Sequence, residues 1–487
     1  AHISDVLENV ATLAVGAGAV VAASPIIDGL KKITLRNGTQ RLWNVDLRPY
    51  ERLIEMSPDT KVNEQGLYLI DGQKVLSHEG KNYVLESDPI LGQYRAIHST
   101  DSTAYRPEFK NNGYGVWVDE ADQPHACNRR MLNGRLGPLV KDLRDLDIEL
   151  MLKVCDVQEG DLRRMYAEGE PIPMLLQENL RQLEAYSKAR RIVTEVRAGR
   201  ISEELCSYVA AFTVDMPGWP AAKAIEVADS KALHANSISY GNPKATQGDV
   251  IKISRADLMA GKLPGHVADG LSMPQLEVLL GSRVPFDRSD CLDMLKERLS
   301  AYMENNTRRL FDSLREEPLA KADPAYRPVE LIKQMFPKLP SSMARRLVAQ
   351  AGPDDIKQLA TGKVPLRLME SARTLQRNTR LSTAYLGLYM DGLVTIDTEV
   401  LALNTLKMLP GWKSDLLLEV RDKYFSGRLR ASIGEQDDLY RKVLVRTSEG
   451  KYQAFDAEGN QLHGIDDLYS SLQHALPDDY RKALGVP

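Results

Sequence analysis

Cys291-Leu292-Asp293 is the stretch of this chain whose residue types come closest to a reactive unit. A thiol with a carboxylate nearby can carry a thioester if its thiolate form is stabilised. The local sequence favours a plainer role. Cys291 opens a long amphipathic stretch beside Asp290 and Asp293, and acids in that place suit a helix N-terminus. His125-Ala126-Cys127 supplies two metal-ligand types. No HxxxH or CxxC completes a set, so no metal is expected. Cys127, Cys155, Cys206 and Cys291 lie far apart and read as small buried hydrophobes rather than a disulfide framework. No G-x-S-x-G elbow occurs. "GAGAVVAAS" from Gly16 resembles a glycine loop, but no strand precedes it and no G-x-G-x-x-G is completed. No cofactor is expected, and the fragment leans towards a non-catalytic role.

Chemistry this sparse turns attention to the framework. At 487 residues the chain is too long for one ordinary core, which implies two to four domains. Hydrophobic residues make up 43% and charged residues 27%, the balance of a soluble globular protein. With 63 basic against 67 acidic side chains the net charge is −4. No basic excess exists to neutralise a phosphate backbone, so nucleic acid is not an expected partner. The chain opens on Ala1 rather than Met, the pattern expected of a piece of something longer. "VATLAVGAGAVVAASPII", residues 10–27, carries no charge and sits at the short edge of a bilayer span. Its Ala, Gly and Val content, Gly16, Gly18 and Pro25 weaken a spanning helix. Acidic Asp5 and Glu8 stand where a secretory leader is basic. A buried or partner-packed helix is the favoured reading, with conditional membrane insertion as the alternative.

Residues 31–128 read as an antiparallel β-rich domain. "LYLIDGQKVLS" and "HEGKNYVLE" set apolar runs around Asp71-Gly72 and Glu79-Gly80, the pattern of tight hairpins. Tyr68, Tyr83, Tyr94, Tyr114 and Trp117 are its expected packing residues. From Arg129 the period becomes helical, and "VKDLRDLDIELMLKV" puts Leu143, Leu146 and Leu150 on one predicted face.

The strongest internal signal is a repeat. "MPGWPAAKAIEVAD" from Met216 and "LPGWKSDLLLEVRD" from Leu409 carry the same Pro-Gly-Trp phrase, Pro217-Gly218-Trp219 and Pro410-Gly411-Trp412, offset by 193 residues. The likeness extends upstream, where "PMLLQENLRQLE" faces "PLRLMESARTLQ", and downstream, where "LSMPQLEVLLG" faces "HALPDDYRKALG". A period this long indicates a duplicated domain, since solenoid periods are about 20–50 residues. In each copy the proline ends a helix, the glycine permits a sharp reversal and the tryptophan is expected to be buried at the corner. A small antiparallel sheet and closing helices are expected to follow. "NSISYG" and "DVIKIS" are expected to match the hairpin "KVLVRTSEGKYQAFDAEGNQLH". The predicted fold is α+β and mainly helical. It comprises an apolar N-terminal helix (1–30), the β meander (31–128), repeat one (129–285), an amphipathic connector with a Pro-rich junction (286–337) and repeat two (338–487). The connector is expected to be one long helix over 288–317.

The phrases "LKKITLRNGTQRLWNVDLRPYE", "GLYLIDGQKVLSHEGKNYVLE", "AYRPEFKNNGYGVW", "LPGWKSDLLLEVRD" and "RKVLVRTSEGKYQAFDAEGNQLHGIDDLYSSLQHALPDDYRKALG" together resemble the central region of very large effector or toxin-like proteins of Gram-negative bacteria. These carry a dermonecrotic-toxin-type N-terminal domain. Many continue into leucine-rich repeats and a ubiquitin-ligase domain of the novel E3 ligase class. The resemblance implies a secreted virulence protein that acts in the host cell after delivery. It also implies a protein partner, either a host protein or other segments of the parent toxin. In that family the ligase motif is Cys-x-Asp followed by Arg, beyond the repeats. Here Met294 follows Asp293 and no leucine-rich repeats precede Cys291, so the catalytic cysteine is not carried over. The expected function is a non-catalytic scaffold or interaction module. The alternatives are ubiquitin-ligase-type transfer through Cys291 and membrane translocation through residues 10–27.

Overall fold

The computed structural model describes residues 30–34, 40–44, 46–55, 60, 62–63, 65–88, 93–113, 115–120, 124–229, 237–315, 325–408, 410, 412, 415–435 and 440–483. The apolar segment 10–27, Tyr114 and Gly411 lie outside the described residues. The fold is α+β and mainly helical. It divides into two compact units, Ala1–Pro173 and Met174–Pro487, and the division falls within the expected first repeat rather than at residue 128.

In the first unit, β1 (Leu30–Thr34) and β2 (Gln40–Asn44) form an antiparallel hairpin. A meander follows: β4 (Leu67–Ile70), β5 (Gln73–His78), β6 (Lys81–Ser87), β7 (Tyr94–Ala96), β8 (Glu108–Asn111) and β9 (Trp117–Asp119) pair in consecutive order. The short β3 (Glu51–Arg52) adds to β6. Asp71-Gly72 and Glu79-Gly80 have φ of 48° and 76°, and of 51° and 76°. A two-residue turn that matches strand twist requires positive φ at both positions. Alternation then gives the sheet two apolar faces. Leu67, Leu76, Tyr83, Leu85, Phe109 and Trp117 pack on one face, and Tyr68, Val75 and Val84 on the other. The sheet curls enough for the Trp117 indole N–H to reach the Gln65 carbonyl beside β4, at 2.6 Å.

Helices α1 (Arg129–Gly134), α2 (Asp145–Val154) and α3 (Glu159–Glu168) complete this unit. The Tyr166 hydroxyl donates to the Leu132 carbonyl at 2.6 Å. The buried face of α2 is Ile148, Met151 and Leu152, not the predicted Leu143, Leu146 and Leu150. The helix starts at Asp145, so Leu143 lies ahead of it, and Leu146 is 79% exposed.

The second unit contains the duplicated architecture. Helices α4 (Met174–Ala198) and α5 (Cys206–Val214) lead to the Pro217 corner. Strands β10 (Ala224–Ala228), β11 (Ser237–Gly241) and β12 (Val250–Ser254) follow, then helices α6 (Arg255–Met259), α7 (Leu263–Gly270) and α8 (Met273–Leu280). After α9 (Arg288–Asn305), α10 (Thr307–Arg315), α11 (Tyr326–Met335), α12 (Ser341–Ala349) and α13 (Pro353–Ala360), the order recurs. Helices α14 (Leu366–Gly387) and α15 (Ile396–Met408) lead to the second corner. Strands β13 (Leu416–Asp422), β14 (Leu429–Ile433), β15 (Tyr440–Arg446) and β16 (Tyr452–Phe455) follow, then α16 (Leu468–Ala475) and α17 (Asp478–Ala483).

Both sheets put the strand after the corner in the middle. It pairs antiparallel with the next strand and parallel with the third. The sheets are therefore mixed, not antiparallel as expected, because the chain crosses over β10 or β13 between the second and third strands. The antiparallel register is the same in both copies as far as Val420, beyond which a bulge shifts it in the second copy. Shifted by 193, the pair Ile225↔Tyr240 becomes Leu418↔Ile433, which is the observed pair. Glu226 opposite Ser239 likewise becomes Glu419 opposite Ser432. "NSISYG" thus corresponds to β14 rather than to the later hairpin, and β16 is an addition specific to the second copy. The closing helices also match: Leu263, Val267 and Leu271 are buried as Leu468, Leu472 and Leu476 are.

The expected single connector helix is broken. Asn306 stops α9, its side-chain amide donating to the Tyr302 carbonyl at 2.8 Å. Both pieces contribute to the core through Leu295, Leu299, Met303, Leu310 and Phe311, so this segment packs rather than merely links.

Candidate functional site

The tryptophans of the two Pro-Gly-Trp corners are less buried than expected. Trp219 and Trp412 are both half-buried, and Pro217 and Pro410 are exposed. Each corner leans on its closing helix. Gly218 (φ 93°) comes so close to α8 that a Cβ there would meet the Val278 carbonyl oxygen at 2.6 Å. Trp412 packs edge-on against Tyr480 of α17, with ring centroids 5.5 Å apart. The Trp219 indole instead donates to the Lys223 carbonyl at 3.4 Å. Indoles are amphipathic, so a corner can shield their rings while leaving an edge in water.

Cys291 and Asp293 do not form a pair. Cys291 is buried on the first turn of α9. Asp293 is exposed and holds Lys296 at 2.8 Å. Residues two apart on a helix face different ways, so the helix itself separates thiol from carboxylate. Among the described residues no three His, Cys, Asp or Glu side chains are grouped to hold a metal ion. Among them, too, no helix is long and apolar enough to cross a membrane.

What the second unit does assemble is ionic, in three places. The first is on β13. Glu419, 7% exposed, accepts from Arg421 at 2.7 Å and Arg441 at 2.8 Å. Burial alone raises its pKa, but the two guanidiniums outweigh it and hold the carboxyl below its ordinary 4.5. A depressed folded-state pKa stabilises the fold above the unfolded value and loses that stabilisation as pH falls through the folded value. Arg441→Gln is therefore expected to bring on acid unfolding of this sheet at a higher pH than in wild type. A circular-dichroism titration below about pH 5 checks this; coincident curves would refute it.

The second is behind β14. Glu399 of α15 is 0% exposed and accepts from Arg430 Nε at 3.0 and 2.9 Å and from the Tyr452 hydroxyl at 2.7 Å. Burial and the Glu399 charge push the Tyr452 hydroxyl well above its ordinary pKa of 10.0. Shifted by 193, Glu399 corresponds to Cys206, so this network belongs to the second copy only.

The third runs along α4 and opens to solvent. Glu178 is buried on α4, where it accepts from Ser342 Oγ at 2.7 Å and Arg315 Nε at 3.1 Å. Nearby, Ser382 Oγ donates to Asn179 at 3.1 Å and Thr383 Oγ1 to Gln182 at 3.4 Å, joining α4 to α14. Glu178, Asn179 and Gln182 are thus buried on α4, where polar groups must be paired.

Beside this seam lies a groove of about 760 Å³. Its wall on α10 carries Arg308 and Arg315, and its wall on α14 carries Arg373, Arg377 and Arg380. Lys338, between Pro337 and Pro340, closes one side, with Thr379, Thr383, Thr395 and Gln376 among the remaining lining. Asp397 is the one carboxylate among the described lining residues. It forms a bidentate pair with Arg380 at 2.6 Å, which holds its carboxyl below the ordinary range. Arg308 reaches Asp312 at 3.4 Å, and Arg315 is held by Glu178. Lys338, Arg373 and Arg377 are exposed, and no carboxylate is hydrogen-bonded to them among the described residues.

None of the groove residues was singled out by sequence for chemistry. A signal existed in the spacing of Arg373, Arg377 and Arg380 at i, i+4 and i+7, and of Arg308 and Arg315 at i and i+7. Each set lies on one helix face. No protein-family model, curated protein or solved structure has a significant match to this chain.

Proposed function

We propose that this chain is a scaffold module of a large secreted bacterial toxin or effector, built to hold or engage a protein partner. The observation that carries the reading is the recurrence of one unit within Met174–Pro487, with the same strand order and the same antiparallel pairing at the centre of each sheet. Its buried acids Glu178, Glu399 and Glu419 are each tied to arginine. Such carboxylates hold elements together and are poor general bases, because the ion pair stabilises the charged form. The bacterial context rests on the phrases that resemble effector central regions.

Two measurements test this. Size-exclusion chromatography with light scattering, using separately produced neighbouring segments of the parent polypeptide, is expected to show a stable complex. Incubation with charged ubiquitin-conjugating enzyme is expected to give no transfer by either wild type or Cys291→Ala. A thioester on Cys291, or turnover by the chain alone, would overturn the scaffold reading.

A further inference from the structure

We infer that the arginine-lined groove between α10 and α14 is a binding site for a compact ligand carrying two or more phosphate groups. The inference does not depend on the scaffold reading. Three observations carry it.

The first is charge. The chain as a whole is acidic at −4, yet this concavity gathers five arginines and a lysine; Asp312, Glu178 and Asp397 pair with Arg308, Arg315 and Arg380, which leaves Lys338, Arg373 and Arg377 as the cationic excess. Arg373 and Arg377 stand one turn apart on α14 with no carboxylate hydrogen-bonded to either among the described residues. Like charges at that spacing repel, and a bound anion removes the repulsion.

The second is geometry. Guanidinium forks present paired N–H donors that match phosphate oxygens two at a time. The bonds that Arg380 donates to Asp397 and Arg315 donates to Glu178 orient two of these side chains before any ligand arrives, which lowers the ordering cost of binding.

The third is size and lining. A groove of about 760 Å³ falls in the range of small-molecule sites rather than of extended macromolecular grooves. None of the described lining residues is aromatic, so no stacking platform exists for single-stranded nucleic acid. Each phosphate brings about −1.5 to −2 charges in a small volume, which suits several cations converging on one hollow.

The test uses the full chain. Isothermal titration calorimetry with inorganic tripolyphosphate and with inositol hexakisphosphate is expected to show saturable binding that weakens with salt. Sedimentation with phosphatidylcholine vesicles, with and without phosphatidylinositol 4,5-bisphosphate, separates a lipid headgroup from a soluble source. Retention on the phosphoinositide vesicles assigns the former, and binding of soluble ligand alone assigns the latter. The double variant Arg373→Glu/Arg377→Glu is expected to lose about tenfold or more in affinity. Arg130→Glu/Arg283→Glu, an equal charge change at exposed positions outside the groove, is expected to bind as wild type. Arg377→Lys, which keeps charge but removes the fork, is expected to fall between. Matching circular-dichroism spectra establish that all variants fold. The inference is overturned by absence of binding to every probe or by equal loss in the two double variants. Tighter binding of a poly-glutamate peptide than of inositol hexakisphosphate would also overturn it.

Discussion

Glu399→Ala is expected to destabilise the Met174–Pro487 unit by about 3–5 kcal/mol, the cost of stranding a buried charge. Arg430 is the group left behind. Its side chain is 8% exposed, and its Nε lies within hydrogen-bond distance of both Glu399 oxygens. Tyr452, fully buried, would lose its acceptor as well. Removing one partner exposes the full desolvation penalty of the other, whereas replacing the whole set with apolar groups avoids it. The triple variant Glu399→Leu/Arg430→Met/Tyr452→Phe is therefore expected to recover most of the loss. Arg446, 3.8 Å from Glu399 and partly exposed, can turn to solvent. Urea unfolding followed by circular dichroism measures both variants. A loss below about 1 kcal/mol for Glu399→Ala would mean that Arg430 finds water, and the network would then be no more than a surface pair.

Gly218→Ala is the second large effect, at about 2–4 kcal/mol from backbone strain plus displacement of packed backbone. Its φ of 93° is one that side chains rarely adopt, and the new methyl would sit 2.6 Å from the Val278 carbonyl oxygen. Gly169→Ala separates these contributions. Gly169 also has positive φ, at 67°, but a Cβ there meets nothing within 4 Å. It should cost only the conformational part, about 1–2 kcal/mol. Equal losses at the two glycines, measured by thermal unfolding, would show that α8 yields freely and that the corner is not locked against it. The comparison matters for the scaffold reading, because a corner that locks onto its closing helix makes each copy a rigid unit.

Sequence and structure agree where the information is local. Asp71-Gly72 and Glu79-Gly80 specified their hairpins because positive φ at adjacent positions is satisfied by few residue pairs. The duplication was readable because Pro-Gly-Trp and the phrase upstream of it recur at offsets of about 193, and the matching pairs at the centre of each sheet follow from it. Helix faces were less secure. The α2 stripe was misassigned because Leu143 lies ahead of the helix and packing turned inward the face of Ile148, Met151 and Leu152, with Ile148 about 200° round the helix from Leu146.

Sequence by itself therefore determined the α+β class, the hairpins and the existence of two related copies. Only the tertiary structure decided the strand crossover, the burial of Glu178, Glu399 and Glu419, and the meeting of two arginine stripes across one groove. The physical reason is range. Turn chemistry and helical spacing act over a few residues, so they are written into short words of sequence. Whether a carboxylate on one helix is buried, or which helix faces Arg373 and Arg377, depends on packing between segments far apart in the chain. Arg308 and Arg373 acquire a common purpose only once α10 and α14 stand on opposite sides of the same hollow.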